Sequence, residues 1–426
     1  MKTLLLRRAR VVDPAGGIDG VRDVLIEGGR ILKVAQRIQR RDGQAIDLDG
    51  LVLCPGFIDL HVHLREPGQE WKETIASGTA AAAAGGFTAV ASMANTDPVN
   101  DSRAVTEMIV AEAKRHGSVR VYPVGAISKK LEGKELADVG EMVEAGAVAV
   151  SDDGRPVMDP SLMRRALEYA QAFGIPVLAH EMDDALCAGG VMHEGAVSTR
   201  LGLPGMPPSA EETMIARDLL LAEDTGGRLH IQHLTTGRGL ALIRLGRRRG
   251  IQVTCEVTPH HLTLTDEALV RYDTNLKMNP PLRPEGDRAA LVRGLKDGVV
   301  DAIGTDHAPH HHDEKWVEFA RAPFGIIGLE TAVPVLLTKL VHEGGLPLPR
   351  FFELLTAGPA RALGVAGGSL AQGEVADITV LDLGREGVID PGGFRSRARN
   401  TPYDGFVYKG QAVMTIVGGR VVHDAR

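Results

Sequence analysis

The stretch PGFIDLHVHLREPG, residues 55–68, is an apolar run that ends in two histidines one residue apart. On a β-strand, side chains two apart point the same way, so His61 and His63 share one face and can reach one ion. Neutral imidazoles in this arrangement suit zinc or a neighbouring divalent metal. Outward from here the chain repeats one pattern, in which short apolar strands alternate with helical stretches. Strands are predicted at 57–63, 88–93, 120–124, 147–151, 176–180, 229–233, 252–256 and 301–305. Helices between them include 73–84, 102–114, 160–173 and 209–223, the last opening on Ser209 and Glu212 at capping-box spacing. Eight such units predict an α/β fold, a closed (β/α)8 TIM-like barrel. An open doubly wound sheet is disfavoured, because no glycine-rich phosphate loop follows the first strand.

The two ends of the chain read differently. Residues 1–53 carry short β segments at 3–6, 23–27 and 31–34, punctuated by Gly16-Gly17 and Gly28-Gly29. Residues 366–426 resume the style at 377–381, 406–408, 412–417 and 420–423. Together they predict one small β-sandwich domain, built from both termini, beside a hydrolase barrel over 54–365. The formal net charge of -7 comes without any polybasic run, which argues against a nucleic-acid partner. Cys54, Cys187 and Cys255 form no CxxC pair, so neither a disulfide framework nor a zinc ribbon is expected. No stretch is long enough to span a bilayer, and the first apolar run is too short for a signal peptide. The expectation is a cytoplasmic protein with no membrane partner.

The strand ends carry the chemistry. The first ends on Asp59, His61 and His63, the fourth on Asp152 and Asp153, the fifth on His180, the sixth on His233, the eighth on Asp306 and His307. In such a barrel the C-terminal strand ends surround the active site. Several imidazoles and carboxylates meeting at equivalent positions point to a metal centre far more strongly than His-x-His does alone. They are too many for one tetrahedral ion, which points to two ions sharing a carboxylate. Strand alternation does not choose between Asp152 and Asp153.

At this point the chain resembles the dihydroorotases of the amidohydrolase superfamily, over essentially its whole length. Four stretches carry the likeness: HVHLREPG at 61–68, KMNPPLR at 277–283, GTDHAPH at 304–310 and PFG at 323–325. The resemblance implies that His61, His63 and Asp306 hold one zinc ion, that His180 and His233 hold a second, and that Asp153 bridges them. Many relatives bridge with a carboxylated lysine; the SDDG at 151–154 resembles the branch that uses a plain aspartate. The resemblance further implies substrate contacts from His63, Arg65, Asn95, Asn279, His310 and the backbone of Phe324 and Gly325. A guanidinium fork with an amide beside it suits a carboxylate. His260, His261, His311 and His312 receive no ligand role, and Glu181 is expected behind the site or in solvent. Residues 307–324 have the position of a lid.

The implied reaction is reversible hydrolysis of (S)-dihydroorotate to N-carbamoyl-L-aspartate, a step of pyrimidine biosynthesis. Metal-activated hydroxide would attack, with Asp306 as general acid and base. The expected partners are the small-molecule substrate, a second copy in a homodimer, and aspartate carbamoyltransferase. The rivals are another cyclic-amide hydrolase, an allantoinase or dihydropyrimidinase, and a catalytically dead scaffold paralogue.

Overall fold

A computed structural model describes residues 3–39 and 43–426. Phe57–Val62, Phe87–Ser92, Arg120–Gly125, Ala149–Val150, Val177–Ala179, Leu229–Ile231, Val253–Val257 and Ala302–Ile303 pair in sequence order, all parallel. The His63 amide donates to the His307 carbonyl at 2.8 Å, and a parallel bridge joins Val62 to His307. That contact joins the segment following the eighth strand to the first, so the sheet comes round to a near-closed barrel, the architecture that the sequence predicts.

All but the third and seventh strands stop short of the predicted ends, the sixth and eighth by two residues. His233 and Asp306 take positive φ, 32° and 48°, a conformation that side-chain-bearing residues adopt at a cost and that departs from regular strand geometry. The chain leaves the sheet just where the polar side chains begin.

Both termini contribute to a second sheet of eight strands, mostly antiparallel. Val52–Pro55 is its seam, pairing parallel with Thr3–Asp13 and antiparallel with Ile378–Val388. Leu6, Val11, Ile26, Leu53, Ile378 and Met414 pack into its shared core. The predicted segments 406–408 and 412–417 form a single strand, Val407–Val417, which continues through Gly410 at positive φ. The capping box predicted at Ser209 does not form: Pro208 precedes the helix Ser209–Thr225, and no side chain caps it. Its acidic partner is drawn elsewhere, since Glu212 pairs with Arg238 at 2.8 Å.

The second sheet packs on the N-terminal end of the barrel. The Thr379 hydroxyl accepts from the Phe57 amide at 3.2 Å and donates to the Gly86 carbonyl at 2.6 Å. Gly86 ends the helix Ile75–Gly85 at φ 93°, and a Cβ there would lie 2.8 Å from Ala412 Cβ. Only glycine fits both the turn and the approach of the sheet. Phe57 packs edge-on to Phe87 and tilted against Phe352, with ring centroids 6.1 and 5.9 Å apart. With that end sealed, the C-terminal strand ends remain open for chemistry. Phe57→Ala removes the centre of this seal and should cost about 3–5 kcal/mol of stability. Denaturant unfolding should show that loss, while metal affinity at the far end stays unchanged.

Candidate metal centre and substrate cavity

The first barrel strand delivers His61 and His63 side by side, their ring centroids 5.4 Å apart. Both Nε2 atoms lie 3.2 Å from Asp153 Oδ2. Asp306 Oδ1 sits 3.1 Å from His63 Nε2 and 3.6 Å from His61 Nε2. Across the mouth, Asp153 Oδ1 faces the other pair, 3.2 Å from His233 Nε2 and 3.4 Å from His180 Nδ1. Each oxygen of Asp153 therefore serves its own pair of imidazoles. Asp152 turns away and accepts from the Ile127 and Ser128 amides at 2.8 and 2.9 Å.

These residues suit metal ions on two counts. Ligands at about 2.0–2.2 Å around a tetrahedral ion are spaced about 3.3 Å along each edge, close to the separations above. His61 Nε2 is buried without a hydrogen-bond partner, and His180 Nδ1 and His233 Nε2 converge to 2.8 Å of each other beside Asp153 Oδ1. His61, His63 and Asp306 form one close ligand group, and His61, Asp153 and His233 another. Burial alone would raise Asp153, yet His61 and its fellow imidazoles hold it well below the usual carboxylate range. Burial likewise opposes charge on His61, and Asp153, Glu256 and Asp306 outweigh it. The cluster favours positive charge at its centre.

A residue that sequence reasoning missed organises this centre. Glu256, at the seventh strand, accepts from His61 Nδ1 at 2.6 Å, from the His233 amide at 3.2 Å and approaches His230 Nε2 at 3.3 Å. It thereby fixes the His61 tautomer that leaves Nε2 as the ligand atom. Burial raises Glu256, but the neighbouring His61 and His230 hold it well below its ordinary value. A Cβ on Gly304 would come within 2.8 Å of Glu256 Oε2, so the glycine before Thr305 makes room for it.

The remaining site residues line one cavity of about 350 Å³, shared by His63, Arg65, Asn95, Asn279, His310 and Phe324. Arg65, at φ 65°, spends Nε on the Pro309 carbonyl at 3.1 Å. Burial lowers its pKa to about 10, so it stays charged at neutral pH. Asn95 Oδ1 accepts from His63 Nδ1 at 2.8 Å, and Asn279 Nδ2 lies 3.3 Å from His180 Nε2. His310 gives its Nε2–H to the Phe324 carbonyl at 2.8 Å. Burial, and Arg65 nearby, push its pKa down to about 2, so the ring is neutral.

Among the residues given no role, His311 and His312 are exposed, while His260 and His261 are buried. Glu181 is not in solvent: it is buried, and burial beside Asp218 pushes it well above its ordinary value. Glu256→Gln keeps the shape at His61 but loses the charge, and should weaken metal affinity about 10- to 100-fold. Chelator competition on the purified protein measures it.

Comparisons with known proteins agree with this geometry. A dihydro-orotase-like family model matches residues 50–238. A dihydroorotase of Anaeromyxobacter dehalogenans is 56% identical over 424 residues, covering 99% of this chain and 98% of that one. One from Geobacter metallireducens is 52% identical over 421 residues, covering 99% of both. Among solved structures, an L-hydantoinase (dihydropyrimidinase) from Arthrobacter aurescens superposes with a TM-score of 0.91 at 25% identity, over 100% of this chain and 97% of its own. With identity above half along nearly its entire length, the chain belongs to the dihydroorotase family of metal-dependent cyclic amide hydrolases.

Proposed function

We propose that the chain catalyses the reversible hydrolysis of (S)-dihydroorotate to N-carbamoyl-L-aspartate, with two zinc ions per subunit. His61, His63 and Asp306 would hold one ion and His180 and His233 the other, bridged by Asp153. The observation that carries the reading is the division of Asp153 between two imidazole pairs, beside a cavity holding a buried, charged Arg65. When bound, such ions polarise the scissile carbonyl and lower the pKa of water to about 7.

The protein's own groups supply orientation and proton transfer. Asp306 is ionised, since His61 and His63 outweigh the burial that would raise it. It takes a proton from the attacking water as the oxygen bonds to the ring carbonyl carbon. The carbon–nitrogen bond then breaks, its electron pair goes to nitrogen, and Asp306 returns the proton there. An open ureido chain and a new carboxyl group result, and the second proton of the water passes from that group to solvent to leave a carboxylate. Arg65 and Asn95 bind the carboxylate already on the ring, and the Phe324–Gly325 backbone faces the ring itself. An uncharged hydantoin or dihydropyrimidine ring would leave Arg65 buried without a direct ion pair, which disfavours the nearest rival reading. The complete ligand set disfavours a dead paralogue.

A homodimer, a cytoplasmic location and association with aspartate carbamoyltransferase belong to the same proposal, on family likeness. No helix among the described residues is long and apolar enough to cross a membrane.

The deciding experiment is turnover of dihydroorotate, and of carbamoyl-aspartate in reverse, by metal-replete protein; inactivity toward both would overturn the reading. Asp306→Asn should fold but lose at least about 100-fold in turnover; near-normal rates with metal bound would remove Asp306 from its role. Arg65→Met should raise KM about 10- to 100-fold, the worth of a charge-assisted contact. A loss confined to kcat at saturating substrate would contradict carboxylate anchoring.

A further inference from the structure

Asn400 lies outside the barrel, in the connection between the sheet strands Ile378–Val388 and Val407–Val417, yet it is 5% exposed. Its Nδ2 donates to the Ala308 carbonyl at 3.0 Å and the Gly325 carbonyl at 3.1 Å, using both amide hydrogens. Its Oδ1 accepts from the His310 amide at 3.2 Å, and its own carbonyl accepts from the Ile327 amide at 3.0 Å. Ala308, His310 and Gly325 all line the substrate cavity. Between the two residues it grips on one side sits Pro309, whose carbonyl accepts from Arg65 Nε at 3.1 Å. The bracket thus reaches the guanidinium that meets the substrate, through a single intervening residue.

The same wall is tied from the other side. Lys315 is buried, and its ammonium donates to the carbonyls of Pro323 at 2.8 Å, Thr274 at 3.1 Å and Lys277 at 3.4 Å. The Gly325 amide donates to the Lys277 carbonyl at 2.9 Å. The 308–310 segment is also tied directly to this wall, by the Ala308 amide on the Ile326 carbonyl at 2.8 Å and by His310 Nε2 on the Phe324 carbonyl at 2.8 Å. Asn400 adds the bracket that holds the Ala308 and Gly325 carbonyls and the His310 amide to one side chain. None of the hydrogen bonds of Asn400 goes to His61, His63, Asp153, His180, His233 or Asp306.

We propose that Asn400 is a positioning residue for the substrate: a side chain from the connection within the terminal sheet sets the 308–310 and 325 backbone and, through the Pro309 carbonyl, aims Arg65 at the substrate carboxylate. The contacts it makes are those that align a ground-state binding group, so its loss should act on binding more than on the chemical step. Removing two donors leaves two buried carbonyls unpaired, which lets the wall shift.

The test uses the full-length, metal-replete enzyme. Asn400→Ala should raise KM for dihydroorotate about tenfold, with kcat changed less than about threefold and metal content unchanged. Asn400→Asp keeps the volume and the acceptor for His310 but turns a carboxylate toward two carbonyls; it should show the same split and gives the reading if the alanine variant fails to fold. The decisive measurement is the double variant. If Asn400 acts through Arg65, Asn400→Ala should add less than about twofold to the KM of Arg65→Met. Full additivity, a normal KM in both single variants, or a loss confined to kcat would each overturn the inference. The inference rests on the proposed activity: inactive wild-type protein overturns both, whereas active wild-type protein with unaltered Asn400 variants overturns only this one.

Discussion

A carboxylate as buried as that of Asp153 is costly unless positive charge or hydrogen bonds compensate it, and Asp153 has four imidazole nitrogens within 3.4 Å. Those imidazoles come from three separate strands, so the compensation exists only when the barrel is closed and in register. The centre and the fold therefore specify each other. His233, Asp306 and Arg65 hold positive φ at the mouth, conformations that side-chain-bearing residues adopt only where their surroundings enforce them. The enforcing contacts are local: Glu256 on the His233 amide, and Asp59 on the Thr305 amide at 3.0 Å just before Asp306.

This arrangement was partly legible in the chain. The two-residue period of a strand is enough to place His61 and His63 together, and barrel geometry brings the other strand ends to the same mouth. Period alone says which face a side chain takes, not which partner it meets. Glu256 reads as one more residue near the end of an apolar strand; only the closed barrel puts it against His61, 195 positions away in sequence. Asn400 is less legible still, because a loop asparagine is ordinary turn chemistry until the fold sets it beside Ala308 and Gly325. Ser209 shows the opposite error. A local motif predicted a cap, and longer-range pairing of Glu212 with Arg238 prevailed.

The terminal sheet acts at both ends of the barrel. Through Thr379 it seals the base, next to the barrel's own cluster of Phe57, Phe87 and Phe352. Through the connection that carries Asn400, and through Ser396 hydrogen-bonded to the buried Glu73, it also reaches the loops around the mouth. Glu73 stands 3.5 Å from His307 Nε2, whose Nδ1 accepts from the Gly328 amide at 3.1 Å. The segment 307–324, which has the position of a lid, is thus bound to the terminal sheet's connection at its first residues and by Lys315 further on.

Arg65 completes the physical argument. It is buried, remains charged, and the only hydrogen bond of its side chain among the described residues uses Nε, on the Pro309 carbonyl. Burial of such a group opposes folding, and in exchange the empty face of the guanidinium needs no further desolvation when a substrate arrives. Under the proposed function a ligand carboxylate would supply the direct ion pair that Arg65 makes with no carboxylate among the described residues, whereas a neutral ring would leave the cost in place. On that proposal, selectivity between two rings of the same shape would follow from one cation without a direct ion pair, because the rejected ring would be penalised by what the protein has left unpaired.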